Sequence, residues 1–189
     1  MKHIVIFASG SGSNAENIIL HFKKNPHVKV AAVFSNNAQA GVLDKAKRLD
    51  VPTVIFIKEA LASGEILEQV NSFNPDLIVL AGFLLKFPDN IITAYPKKII
   101  NIHPALLPKY GGKGMYGMHV HRAVVENKEP ETGISIHYVD EHYDEGDIIF
   151  QQSVPLDGKE TCEEVSQKIQ RLEQEYFPKV IEKILNENT

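Results

Sequence analysis

The sequence contains one cysteine and no tryptophan, and neither sign of charge dominates it. With Cys162 as the only thiol, the chain can form neither an internal disulfide nor a metal site of several cysteines, which is typical of a reducing compartment. The formal net charge is −4 at pH 7, so no basic field predicts a nucleic-acid partner.

Long apolar runs are also missing. No stretch approaches the roughly 20 consecutive apolar residues of a membrane helix, and the first residues read as a strand rather than as a leader. We therefore expect a cytoplasmic protein with no membrane partner. The 189 residues, 43% of them apolar, are enough for a single domain with a full core.

Apolar periodicity predicts an alternation of strands and helices in the first hundred residues. Short apolar runs predict five strands, at 3–8, 28–34, 51–57, 76–81 and 99–102. Helical spacing of apolar residues after the glycine-rich turn, over 38–49 and over 60–73, predicts three helices. Strands that alternate with helices of about 10–15 residues indicate right-handed crossovers and a parallel sheet.

The pattern changes after residue 110. Four glycines over 111–117 predict a mobile lid-like loop, and 119–126 reads as a short helix. The segments 133–139 and 148–154 read as antiparallel strands. Thr161 and Glu164 form a capping-box pattern that opens a long helix, in which Pro178 predicts a kink or a restart.

These elements together predict an α/β, Rossmann-like fold. Its mainly parallel sheet is flanked by helices and carries an antiparallel extension in the C-terminal half. We expect residues 1–189 to form one domain, with a phosphate-binding half over 1–100 and a half over 101–189 that carries the remaining site. In such folds the site lies beyond the carboxyl ends of the parallel strands.

The turn over 9–14, Ser-Gly-Ser-Gly-Ser-Asn, lies between the first strand and the first helix. Glycines permit close backbone approach, and free N–H groups at a helix start favour an anion, so Gly12, Ser13 and Asn14 are candidates for binding one phosphate. The turn also fits a dinucleotide pattern, but no acid follows the second strand to hold a ribose. A plain turn with Ser13 as the N-cap is the alternative.

Asn101 and His103 follow the apolar pair at 99–100 and precede Pro104. Residues two apart on a strand share a face, so the amide and the imidazole should point into one pocket. Such a pair suits the stabilisation of a developing oxyanion. Alternatively, His103 only bonds a nearby carbonyl at the end of the strand.

The loop over 139–147 is rich in acids, and clustered acids usually form a solvated surface. Because this loop should return to the sheet edge that carries His103, one of its carboxylates can orient the imidazole and raise its pKa. We choose Asp144 for this role.

Three motifs occur together: Leu-Ala-Gly-Phe at 80–83, Asn-Ile-His-Pro-Ala-Leu-Leu-Pro at 101–108 and Asp-Glu-Gly at 144–146. In this combination and order the chain resembles the formyltransferase family over nearly its whole length. The resemblance implies transfer of a formyl group from 10-formyltetrahydrofolate, a co-substrate, to the amine of glycinamide ribonucleotide in purine biosynthesis. It implies small-molecule substrates, no metal, and a monomer or weak homodimer.

The family's roles transfer to matching positions. The resemblance implies that His103 acts as general acid, assisted by Asn101 and Asp144. It implies substrate-binding roles for Gly12, Ser13 and Asn14 at the phosphate and for Glu173 at the ribose hydroxyls. The implied folate-binding residues are Leu84, Leu85, Lys86, Phe87, Asn101, Asp140 and Asp144.

This chain departs from the family pattern in two places. Leu85 stands where members commonly carry an arginine, and a second family arginine has no counterpart, with Lys58 the nearest basic residue. Contacts to the glutamate tail of the folate therefore cannot be transferred. The loop over 111–118 also looks longer than in many members.

Alternative functions use some of the same residues. A metallohydrolase would combine His119 and His121 with His103 and Asp144, although residues two apart on a helix diverge. Hydrolase and transfer-RNA branches of the family share the central motif and carry an additional domain. A non-catalytic binding module does not explain why the acid–base residues occur together. His137 is either a supporting donor or an exposed side chain.

Overall fold

The computed structural model describes residues 1–187, which form one seven-stranded sheet flanked by helices. The strands are β1 (Lys2–Phe7), β2 (Val28–Ser35), β3 (Thr53–Ile55), β4 (Leu77–Leu80), β5 (Ile99–His103), β6 (Glu131–Tyr138) and β7 (Ile148–Pro155). Their order is β3-β2-β1-β4-β5-β6-β7. The first five strands pair in parallel, whereas β6 pairs antiparallel with β5 and β7 with β6. The predicted fold class is confirmed.

Seven helices connect and cover these strands in the described part of the chain. They are α1 (Ser13–Phe22), α2 (Gly41–Arg48), α3 (Lys58–Ala62), α4 (Glu65–Ser72), α5 (Asp89–Ala94), α6 (Met118–Glu126) and α7 (Cys162–Glu187). The single helix predicted over 60–73 is wrong, because Gly64 has a φ of 86° and separates α3 from α4. Helix α5 was not predicted.

The long helix α7 is capped as its sequence predicts. The Thr161 N–H donates to Glu164 Oε2 at 2.8 Å, and the Glu164 N–H donates to Thr161 Oγ1 at 3.2 Å. The alternative of a restart at Pro178 is wrong, because the helix continues to Glu187. No helix within residues 1–187 combines the length and the apolar character needed to cross a membrane.

Two apolar cores lie on opposite faces of the sheet. Along β1, Ile4 and Ile6 face the core formed with α1, α2, α6 and α7, while Val5 and Phe7 face the core formed with α3, α4 and α5. All four side chains are fully buried. Burial on both faces explains why the central strands are apolar without alternation.

The carboxyl ends of β1, β4 and β5 meet at one edge of the sheet. Phe7 is paired with Leu80, and Leu80 is paired with Asn101. The chain leaves these ends as the glycine-rich turn, as the segment at 82–87 and as the His103–Pro104 junction. Three predicted site segments are therefore neighbours, as expected at the carboxyl edge of a parallel sheet.

Candidate active site

The antiparallel pairing of β5 and β6 places two histidines and an asparagine together. Asn101 lies opposite His137, and His103 lies opposite Ser135. Both imidazoles are buried, with His103 3% and His137 2% exposed. Because residues two apart on a strand share a face, these side chains form one polar cluster.

Asp144 joins this cluster from the loop that follows β6. Its Oδ2 lies 3.5 Å from His103 Nδ1, and its Oδ1 lies 3.5 Å from both Asn101 Nδ2 and His137 Nε2. The Gly112 N–H donates to Oδ2 at 2.9 Å and holds the carboxylate in place. The structure thus brings together the three residues for which the sequence predicts acid–base and oxyanion roles.

The hydrogen bonds of His103 define its neutral tautomer. Nε2 lies 2.7 Å from the carbonyl oxygen of Tyr110, which can only accept, so Nε2 carries a proton. In the neutral ring Nδ1 is then the unprotonated nitrogen, and it faces Asp144. Protonation at Nδ1 creates a second N–H that points towards a carboxylate, so this arrangement supports gain and loss of a proton at Nδ1.

The His103 pKa results from opposing effects of burial and of neighbouring groups. Burial lowers the pKa of His103 below 6.5, and this effect exceeds the raising effects of the Asp144 charge and of the Tyr110 carbonyl. The predicted effect of Asp144 on the His103 pKa is therefore confirmed in sign, but burial outweighs it. The resting ring is neutral at pH 7.

The Asp144 carboxylate remains ionised in this setting. Burial raises its pKa, but the neighbouring His137, the positive charge that His103 gains on protonation, and the Gly112 N–H outweigh burial and hold the pKa of Asp144 below its ordinary value. The cluster therefore pairs a neutral imidazole with a charged carboxylate at neutral pH.

His137 is the member of the cluster to which the sequence assigned no role. Its Nδ1 lies 2.8 Å from the Tyr138 carbonyl oxygen, and its Nε2 lies 3.1 Å from Asn101 Nδ2 and 3.5 Å from Asp144 Oδ1. The amide group of Asn101 thus has a close partner in His137. Its contact with Asp144 is long, at 3.5 Å between Nδ2 and Oδ1, so one of its two N–H groups can turn to a ligand. The alternation of Ser135 and His137 with isoleucines was the sequence signal for this face.

The segment after β5 is held by Ser135. The Leu107 N–H donates to Ser135 Oγ at 2.9 Å, and this hydroxyl donates to the Ala105 carbonyl at 2.7 Å. Gln151 Nε2 donates to the same hydroxyl at 2.8 Å. These bonds fix the chain just beyond His103 and so help to set the orientation of its ring.

A cavity of about 400 Å³ opens onto this cluster. Its lining includes Asn101, His103 and His137 of the cluster, and a first wall formed by the loop after β6 with Asp140 and Asp144. A second wall contains the four residues implied to flank the folate: Leu84, Leu85, Lys86 and Phe87.

The side chains of this second wall differ in their surroundings. Phe87 is buried and packs edge-on against Phe7 with ring centroids 5.0 Å apart, so its side chain belongs largely to the core. Leu84 is half exposed and free to contact a ligand.

The glycine-rich turn leads into α1 through a left-handed Gly12. Gly12 has a φ of 75° and is the N-cap of α1, so the alternative with Ser13 as N-cap is wrong. A Cβ at Gly12 would lie 2.5 Å from Val42 Cβ, which leaves room for glycine alone. The Val42 N–H donates to the Gly10 carbonyl at 3.1 Å and joins the turn to α2.

Asn14 and Glu173 meet beside this turn. Asn14 Nδ2 donates to Glu173 Oε2 at 2.8 Å, and Asn14 Oδ1 is buried without a hydrogen-bond partner. Burial raises the pKa of Glu173, and the bond from Asn14 opposes this shift. The structure thus joins two predicted substrate-binding residues, but neither they nor Gly12 and Ser13 line the cavity described above.

The histidines of the metallohydrolase alternative do not converge. His119 is exposed beside the Tyr116 ring at 5.3 Å, whereas His121 is buried on the core side of α6. Within residues 1–187, no group of three or more His, Cys, Asp or Glu side chains is arranged to hold a metal ion.

A model of the formyl transferase family matches residues 2–181. The chain belongs to the formyl transferase family. Among solved structures, the chain is similar to a phosphoribosylglycinamide formyltransferase from Bacillus halodurans, with a TM-score of 0.90 and 32% identity, covering 100% of this chain and 97% of that one. A glycinamide ribonucleotide transformylase from Geobacillus kaustophilus has a TM-score of 0.89 and 33% identity, covering 98% and 99% of the two chains.

Relatives at the sequence level carry the same name. The phosphoribosylglycinamide formyltransferase of Bacillus subtilis is 37% identical over 100% of this chain and 97% of its own length. The chloroplastic enzyme of Vigna unguiculata is 35% identical over 98% of this chain. This chain spans 62% of the length of the Vigna protein and 66% of the length of its Arabidopsis thaliana counterpart.

Proposed function

We propose that this protein transfers the formyl group of 10-formyltetrahydrofolate to the amine of glycinamide ribonucleotide, in purine biosynthesis. The observation that carries the proposal is the cluster of buried His103 with partly buried Asn101 and Asp144, all three of which line a ligand-sized cavity. The names of the relatives at 32–37% identity support the same reaction.

The phosphorylated substrate is assigned to the N-terminal half. The backbone N–H groups of the turn, with Gly12 in its left-handed conformation and with Ser13 and Asn14, suit a phosphate at the start of α1. Glu173 accepts a hydrogen bond from Asn14 and can accept others from ribose hydroxyls. Residues 1–100 are thereby proposed as the phosphate-binding half and 101–189 as the catalytic and folate-binding half of one domain.

The formyl donor fits the cavity beside the cluster. Leu84 and Leu85 provide an apolar surface for a flat ring system, and Asp140 and Asp144 provide polar groups in the same cavity. The folate serves as a co-substrate that supplies the formyl group. With its reactive end beside Asn101 and His103, the rest of the molecule extends towards the cavity mouth.

Asn101 and His103 have different roles in the proposed transfer: Asn101 stabilises charge and His103 transfers a proton. When the amine attacks the formyl carbon, the free amide N–H of Asn101 stabilises the negative charge that develops on the formyl oxygen. One donor of this kind is worth roughly 2.7–4 kcal/mol of the barrier. Holding both substrates in register lowers the barrier further by reducing the entropy lost on reaction.

His103 moves the proton. Because its resting ring is neutral at Nδ1, it can take the proton that the attacking amine loses, and Asp144 stabilises the imidazolium that results. The ring then gives this proton to the folate nitrogen that leaves. In this mechanism His103 acts first as a general base and then as a general acid, whereas the resemblance implies a general acid. Such catalysis is worth about 10²–10⁴ in rate.

A spectroscopic assay of folate deformylation tests the proposal. The purified protein is mixed with 10-formyltetrahydrofolate, with and without glycinamide ribonucleotide. We expect turnover only when the amine is present, together with stoichiometric formylated product. Turnover without the amine would indicate a hydrolase, and binding without turnover in both arms would indicate a binding module.

We also propose a cytoplasmic protein that acts as a monomer or weak homodimer. The single cysteine suits a reducing compartment, and the proposed substrates are small polar molecules. Sedimentation equilibrium over a range of concentrations measures the oligomeric state directly.

A further inference from the structure

The cavity has an uneven distribution of charge around its lining. Three acids, Asp140, Glu141 and Asp144, lie on the wall formed by the loop after β6. Among the described residues that line the cavity, Lys86 and Lys113 are the only lysines, and no arginine is present. Among the described lining residues, only these two lysines therefore offer a permanent positive charge to the anionic end of a ligand.

Lys86 is available to such a ligand. Its ammonium group lies 3.2 Å from Asp89 Oδ1, with the two side chains 50% and 61% exposed. An ion pair this exposed contributes little free energy, so a ligand carboxylate can replace Asp89 as the partner of Lys86.

Lys113 is exposed and makes no hydrogen bond or ion pair with the described residues. Its position is nevertheless defined, because the preceding residue, Gly112, donates its N–H to Asp144 at 2.9 Å. Gly112 and Gly114 have φ values of 94° and 89°, a conformation that favours glycine and turns the chain sharply on both sides of Lys113. The loop thus places one unpaired cation at the cavity while it holds the Asp144 carboxylate.

We propose that Lys86 and Lys113 bind the carboxylates of the glutamate tail of the folate. This inference rests on the proposed function, because it assumes that the reactive end of the folate lies at Asn101 and His103. The tail then lies towards the exposed ends of the cavity walls, where both lysines are found. Binding by Lys113 would give the loop over 111–118 a role. The two lysines would also supply positive charge in a chain that has Leu85 at the family's arginine position.

Binding of folates with different tails tests this inference without relying on turnover. Dissociation constants are measured by calorimetry for a stable folate analogue with no glutamate, one glutamate and three glutamates. The proteins are the wild type, Lys86→Met, Lys113→Met, the double variant and a matched control, Lys183→Met, which changes an exposed lysine on α7. Methionine keeps the length of the apolar stem and removes only the charge.

We expect each single variant to weaken binding of the one-glutamate analogue by about tenfold, as for loss of one charge-assisted hydrogen bond. The analogue without glutamate should bind all five proteins equally, and the double variant should lose its preference for longer tails. That preference in the wild type should also decrease as salt is added.

Two results would overturn the inference: tail-dependent binding that is unchanged in the variants, or an equal loss for all three analogues, which would indicate a packing role. Failure of the proposed function is distinguishable, because the wild type would then bind none of the analogues. That result would remove both proposals together.

Discussion

The cluster of Asn101, His103, His137 and Asp144 and the glycine-rich turn over 9–14 lie at the same sheet edge but are built in different ways. The cluster takes side chains from β5, β6 and the loop after β6, and strand pairing fixes their positions. The turn is a local backbone structure in which Gly12 is closely packed against Val42.

Under the proposed function, this difference separates residues that act in the chemical step from residues that bind substrate. Side chains in the cluster can be replaced without a steric conflict, so their loss should act mainly on the rate. The turn acts through its conformation, so a substitution there should act on substrate affinity and on stability. The following substitutions test that division, in order of decreasing expected effect.

His103→Ala should have the largest effect. It removes the group that moves the proton, so we expect kcat to fall by about 10²–10⁴, while glycinamide ribonucleotide binds almost as in the wild type. Steady-state kinetics and calorimetry measure the two quantities. His27→Ala, which removes an exposed histidine, is the matched control. Near-normal turnover of His103→Ala would reject the assignment.

Asp144→Asn should reduce turnover by roughly a hundredfold or more, because the imidazolium form of His103 loses its charged partner. It should also shift the pH profile. Asp144 raises the His103 pKa, so its removal lowers that pKa further and moves the acid limb of kcat/KM to lower pH. The wild-type limb should itself lie below 6.5. An acid limb that moves to higher pH would contradict this electrostatic role.

Gly12→Ala should weaken binding of the phosphorylated substrate and destabilise the fold. The new Cβ would lie 2.5 Å from Val42, and a left-handed conformation costs a non-glycine residue about 1–2 kcal/mol. Thermal unfolding and calorimetry measure the two effects. Gly10→Ala is the matched control for stability, because a Cβ there has nothing within 4 Å. Equal unfolding temperatures for the two variants would refute the steric argument.

Glu173→Gln should have the smallest effect. It keeps an oxygen that accepts from Asn14 but weakens the acceptor for ribose hydroxyls, so we expect KM for glycinamide ribonucleotide to rise about three- to tenfold with kcat nearly unchanged. Because burial raises the pKa of Glu173, the carboxylate is costly in the folded state at pH 7, and the free energy of unfolding should not decrease. A large loss of kcat, or a less stable protein, would contradict this role.

The sequence predicted some elements of the fold and missed others, for physical reasons. Continuous apolar runs defined the central strands, because both sheet faces are covered. The break at Gly64 and the short helix Asp89–Ala94 were missed, since one glycine rarely ends a helical pattern and six residues are too few for a clear period.

In the candidate site, the sequence predicted which residues meet but not their surroundings. The approach of Asp144 to His103 followed from topology. The place of His137 opposite Asn101 depends on strand register, which the sequence does not specify. The net direction of the His103 pKa depends on depth of burial, and this too became visible only in the structure. The catalytic and binding roles of these residues stay predictions.

The protonation of His103 is the most direct test of the account. Nitrogen-15 NMR of labelled protein, with the signals of His103 assigned from a His103→Gln variant, reports both the tautomer and the pKa of this ring. We predict a neutral ring at pH 7 with its proton on Nε2, a pKa below 6.5, and a still lower pKa in Asp144→Asn. A ring that is protonated at pH 7, or whose neutral form carries its proton on Nδ1, would contradict it.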